Sequence, residues 1–145
     1  MNKITFCGHS NLSVRTSEIL ETKLRTEIEK LIKQGAREFL LGGYGDFDYL
    51  CAKIIREMKG VYPHIMSVLV IPYIDRDYNK DLYDCSEYPP IETVPKRFAI
   101  LKRNEFMVNE ADVVIAFVKY DWGGAVKTLE YARRKKKKIV LLSDE

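Results

Sequence analysis

A chain of 145 residues is long enough to bury one good core and too short for two ordinary domains, so a single domain over residues 1–145 is expected. Its 24 basic and 21 acidic side chains leave a net charge of +3, and a composition of 46% hydrophobic and 31% charged residues excludes disorder or a fibrous repeat. Six of the positive charges are consecutive, residues 133–138, and without that run acids outnumber bases.

The apolar stretches 68–71 and 113–118 fall far short of the ~20 residues a membrane helix needs, so no membrane partner is expected. Residues 1–7 carry no basic-then-apolar leader, which points to a cytoplasmic location. Cys7, Cys51 and Cys85 form no CxxC pair and leave one odd thiol, an argument against a disulfide scaffold or a thiolate zinc site.

In chain order, residues 3–7 are apolar and β-prone and predict a first strand, stopped by the turn Gly8-His9-Ser10. Over 17–34, Leu20, Leu24, Ile28, Leu31 and Ile32 recur at helical spacing, with Thr16 or Ser17 as cap and Gly35 as stop. Residues 39–41 predict a second strand ending in Gly42-Gly43. Phe47, Leu50, Cys51, Ile54, Ile55 and Met58 then mark the apolar stripe of a second helix. Residues 65–71 read as a strand buried on both faces, closed by Pro72. The stretch 73–92, with six acids and four tyrosines, predicts a long functional loop. Thr93 as cap and Pro95 in the first turn open a third helix that runs to Asn109. A strand over 112–118, a loop at 121–124, a helix from 125 to about 136 and a strand over 139–142 complete the chain.

Five strands alternating with four helices predict an α/β, Rossmann-like, doubly wound and mostly parallel sheet with helices on both faces. In such sheets ligands bind at the carboxyl ends of the strands, where four loops should meet: Gly8-His9-Ser10, Gly42-Gly43-Tyr44-Gly45-Asp46, Pro72-Tyr73 and Asp121-Trp122-Gly123-Gly124. Two of these place glycines directly before a helix, where free N–H groups and the helix dipole favour a phosphate; the same glycines also serve tight turns. Neither GxGxxG nor GxxxxGK[ST] is present, so no NAD- or ATP-hydrolysis motif is found and no cofactor is expected. His9 and His64 lack neighbouring paired carboxylates, so no metal site is expected either.

The segments Thr5-Phe6-Cys7-Gly8-His9, Leu41-Gly42-Gly43-Tyr44-Gly45-Asp46-Phe47-Asp48, Val70-Ile71-Pro72-Tyr73, Lys102-Arg103-Asn104-Glu105-Phe106-Met107-Val108, and Ala111-Asp112 through Gly123-Gly124 to Tyr131-Ala132 resemble the SLOG superfamily. Within it the chain is most similar to small bacterial and phage members. That superfamily includes LONELY GUY-type cytokinin phosphoribohydrolases, a DNA-processing protein, and sensor domains of antiviral systems that bind nucleotide-derived signals.

The resemblance implies a nucleotide or nucleotide-derived ligand, of ADP-ribose or cyclic nucleotide type, bound by a sensor or sequestering protein. An enzymatic alternative is an N-glycosidic hydrolase or transferase acting on a nucleoside monophosphate. The phosphoribohydrolase motif GGxGTxxE is kept here at Gly123, Gly124 and Glu130, while its inner GT has become Val126-Lys127. Glu130 would then stabilise the oxocarbenium-like charge built up as the glycosidic bond breaks; a solvated helical glutamate is the competing reading.

Thr128 belongs to the same motif. The resemblance turns Arg103 and Asn104 toward the ligand, the arginine to a phosphate and the asparagine to a ribose hydroxyl or a loop; a polar helix surface over residues 102–104 is the competing reading. His9 suits either a ligand contact or a bond to the turn backbone, and Trp122, Tyr44 and Tyr73 suit stacking on a base or filling space. The basic run falls at the last turn of the final helix, where cations meet the negative end of the dipole, away from the cleft. Nucleic acid is therefore not the expected partner, a DNA-binding role being kept as a third alternative, and a homo-oligomer is expected.

Overall fold

The computed structural model describes residues 2–145. Its elements are β1 (Lys3–Gly8), α1 (Val14–Lys33), β2 (Glu38–Leu41), α2 (Asp46–Met58), β3 (Met66–Val70), β4 (Cys85–Glu87), a 3-10 turn (Lys96–Phe98), α3 (Ala99–Glu110), β5 (Val113–Phe117), α4 (Gly124–Arg134) and β6 (Lys138–Leu141). The sheet has six strands, all parallel, in the order β4-β3-β2-β1-β5-β6.

The expected five strands are corrected to six. The additional strand, β4, lies inside the stretch read as a loop, and its three residues Cys85, Ser86 and Glu87 are all exposed. It runs beside β3 with Val68 opposite Cys85 and Val70 opposite Glu87, so it is held mainly by backbone pairing, with the Cys85 thiol also donating to the Met66 sulfur. The third helix is also corrected at its start: Thr93 does not cap it, and a 3-10 turn after Pro95 precedes Ala99. The first helix begins earlier than its apolar stripe, at Val14, capped by Ser13, whose side chain accepts the Thr16 N–H.

Alternation along the strands divides the core in two. Ile4, Phe6, Phe39, Leu41, Val113, Ile115 and Phe117 pack on α1 and α2 through Leu20, Leu24, Ile28, Phe47, Ile54 and Ile55. Cys7, Val114 and Ala116 face the other way, onto Val108 of α3 and Leu129 and Ala132 of α4, while Leu40, Val68 and Val70 meet Met107. Thr5 is a polar side chain in this interior, its hydroxyl donating to the Leu40 carbonyl at 3.0 Å. Among the described residues no helix is long and apolar enough to cross a membrane.

Candidate functional site

Strands β1 and β5 are neighbours, but the chain leaves β1 for α1 and β2 on one side and β5 for α4 and β6 on the other. Their carboxyl ends therefore part, and a cavity of about 340 Å³ opens between them. The end of β1 and its turn line it with Gly8, His9 and Ser10; the β2–α2 connection supplies Gly42, Tyr44 and Asp48. Helix α3 supplies Arg103 and Asn104, and the β5–α4 connection supplies Tyr120, Trp122, Gly123, Gly124 and Thr128.

Arg103 is 4% exposed, and its guanidinium donates at 2.8 Å to the carbonyls of both Gly42 and Val70 and at 2.9 Å to the Asn104 side chain. Burial lowers its pKa, and the nearby Asp48 carboxylate works against that. Its Nη1 is thus engaged with the ends of β2 and β3 and its Nε with Asn104.

Asp48 is half-buried in the third position of α2 and accepts the backbone N–H of Tyr44 at 3.1 Å. Burial raises its pKa, while the N–H groups of Tyr44, Gly43 and Gly42 and the charge of Arg103 hold that rise in check. Tyr83 stands behind the loop, its phenol pushed up to about 12 by burial and by Asp48. The first glycine loop therefore has its own carboxyl acceptor. At the opposite wall, α4 has no acid in its first turn and no side-chain cap, and a methyl group added at Gly123 or Gly124 would meet nothing within 4 Å.

An aromatic wall runs beside that open helix start. His9 lies 4.9 Å from Tyr120, and Tyr120 stacks on Trp122 at 5.1 Å and 17°. Trp122 is 66% exposed. His9 takes its place through its ring: Nε2 accepts the Lys119 backbone N–H at 2.8 Å, the turn-backbone role weighed for it, while the residue still borders the cavity. Burial lowers its pKa, which favours the neutral acceptor form.

Several expected residues lie elsewhere. Gly43, Gly45, Asp46, Pro72, Tyr73 and Glu130 are not among those lining the cavity. Asp46 is tied to the turn after β1, donating its N–H to the Ser10 carbonyl and accepting the Leu12 N–H. Tyr73 donates its hydroxyl to the Lys96 carbonyl and stacks under Arg76. Glu130 is exposed on α4, beyond the buried pair Thr128 and Leu129. The Thr128 hydroxyl bonds back to the Gly124 carbonyl at 3.0 Å. Cys7 is buried, and desolvation pushes its thiol up to about 12. Asp48 and Tyr120 are among the lining residues that sequence reasoning did not place in the site.

No protein-family model matches the chain. A curated relative, the uncharacterized SPbeta prophage-derived protein YoqJ of Bacillus subtilis strain 168, is 25% identical over 140 aligned positions that take in 79% of this chain and 81% of that protein. Among solved structures, DNA processing protein A of Streptococcus pneumoniae superposes with a TM-score of 0.70 at 19% identity over 98% of this chain. DNA processing protein A of Helicobacter pylori superposes with a TM-score of 0.66 at 20% identity over 97%. The chain has the Rossmann-like fold of these DNA processing proteins. The Moco carrier protein of Chlamydomonas reinhardtii shares it, with a TM-score of 0.60 at 19% identity, covering 97% of this chain and 75% of that one. This chain spans 65% of the H. pylori protein and 50% of the S. pneumoniae protein.

These neighbours correct one expectation. The charge balance argued against nucleic acid as a partner, yet the H. pylori protein of this fold is described through its single-stranded DNA binding mode. Net charge is a poor guide because single strands are held by a locally positive groove together with stacking on aromatic rings, and a charge summed over the chain is blind to both.

Proposed function

We propose that the cleft of this SLOG fold binds a nucleotide or nucleotide-derived small molecule, and that the protein acts as a sensor or sequestering protein for it. One observation carries this reading: the uncapped, acid-free start of α4 borders the cavity beside the stacked rings of Tyr120 and Trp122. Free N–H groups at a helix start suit a phosphate, and a flat exposed ring suits a heterocyclic base. A cavity of about 340 Å³ falls in the range of small-molecule sites.

Trp122 is the chain's single tryptophan, so its emission reads the site directly. Titration with AMP is expected to quench it, and adenosine, which lacks the phosphate, to bind about tenfold more weakly or worse. Equal affinity for the two, or no change with AMP, ADP-ribose or cyclic nucleotides, contradicts the reading.

The exposure of the Tyr120–Trp122 pair favours a second reading, in which the same rings stack on bases of single-stranded DNA. Quenching by oligo(dT) that weakens steeply with salt and is not displaced by AMP supports that reading over the first.

A further inference from the structure

Helices α2 and α4 begin with nearly the same backbone and opposite chemistry. Gly45 precedes α2 at φ 92°, ψ 169°, and Gly123 precedes α4 at φ 98°, ψ −178°, a conformation that residues with a side chain rarely adopt. The third residue of α2 is Asp48; the third residue of α4 is Val126. Asp48 folds its carboxylate back onto the glycine loop, takes the Tyr44 N–H and draws on those of Gly43 and Gly42. Arg103, beneath the same loop, gives Nη1 to the Gly42 and Val70 carbonyls and Nε to Asn104. On this side of the cavity Nε and Nη1 of Arg103 and the Tyr44 N–H are engaged, and a carboxyl group lines the wall. Across the cavity, α4 carries no acid in its first turn.

We propose that Asp48 is a specificity-determining residue that gives the ligand one direction in the cleft: its phosphate at the start of α4, a hydroxyl or amine at Asp48, and no second anionic group at residues 42–44. This rests on the reading of the cleft as a nucleotide site. A carboxylate accepting from a hydroxyl makes a charge-assisted bond, and the same carboxylate repels a phosphate that approaches the loop. The ligand class is a phosphorylated sugar or nucleotide with a single phosphoryl group in the cleft and a free hydroxyl or amine at its other end.

Amide chemical shifts test this with two probes, inorganic phosphate and ribose 5-phosphate. In the wild type, inorganic phosphate is expected to shift the amides of residues 124–126 and to leave 42–44 in place. Ribose 5-phosphate is expected to bind about tenfold more tightly than phosphate through its hydroxyls. Asp48→Asn keeps an acceptor for Tyr44 but loses the charge, so phosphate should then also shift 42–44 and the ribose advantage should shrink. Val126→Asp, at a half-exposed position, reproduces in α4 what Asp48 does in α2 and should abolish the response at 124–126.

A wild-type phosphate response at 42–44, or an unchanged ribose advantage in a folded Asp48→Asn, overturns the role of Asp48 and leaves the site reading standing. Equal wild-type affinities for the two probes overturn it without any variant. No response at 124–126 to either probe overturns the site reading itself, and the direction with it.

Discussion

His9 at the end of β1 accepts the backbone N–H of Lys119 at 2.8 Å, so the first strand holds the connection that carries Tyr120 and Trp122. Only the neutral ring can accept at Nε2. Burial lowers the His9 pKa below its ordinary 6.5, which means the folded state binds the proton less readily than the unfolded chain. The bond is therefore complete above pH 6.5 and is lost as pH falls through the lowered folded value. Trp122 emission should change over that acid window in the wild type and stay flat in His9→Gln, which retains an acceptor that does not titrate. A pH response that persists in His9→Gln contradicts this.

Arg103 ties β2 to β3 from α3 through the Gly42 and Val70 carbonyls. Arg103→Ala should cost about 3 kcal/mol in urea unfolding, from two carbonyls left unpaired and the space vacated. Arg103→Lys should recover only part of this, because Nη1 makes both carbonyl bonds while Nε holds the Asn104 side chain, and a single ammonium does not replace both nitrogens. Full recovery by lysine would count against the geometry described.

Lys136, in the basic run, is the one non-glycine residue with positive φ among those described, at 57°. Lys136→Gly should raise stability by roughly 0.5–1 kcal/mol, since the left-handed penalty exceeds the entropy glycine adds to the unfolded chain. Destabilisation in thermal melts would show that the lysine side chain has a role not visible in its backbone.

Glu130 is exposed and does not line the cavity. Glu130→Gln is expected to leave AMP binding within about twofold of wild type, a difference of ~0.4 kcal/mol. Base release from AMP by the wild type that Glu130→Gln abolishes would restore the enzymatic alternative.

The buried strands are legible in the sequence because both faces of β3 and β5 are covered and their apolar runs are interrupted only by Ser67. Strand β4 escapes because Cys85-Ser86-Glu87 is short, polar and exposed, and its pairing is a backbone matter that side-chain patterns do not record. Arg103 resembles a polar helix surface or a phosphate ligand in one dimension. Its burial depends on carbonyls contributed by two other strands, a long-range fact. Asp48 had a readable signal: an acid three residues after a glycine at a helix start answers the loop's own N–H groups, just where a phosphate would be sought. The open glycine pair 123–124, by contrast, stands out in both sequence and structure.

The measurement that bears most directly on the account is a crystal structure of the protein grown with saturating AMP. The account predicts the phosphate on the N–H groups of residues 124–126, the base against Trp122 and the ribose toward Asp48. A phosphate seated on residues 42–44, or a cleft left empty, would contradict it.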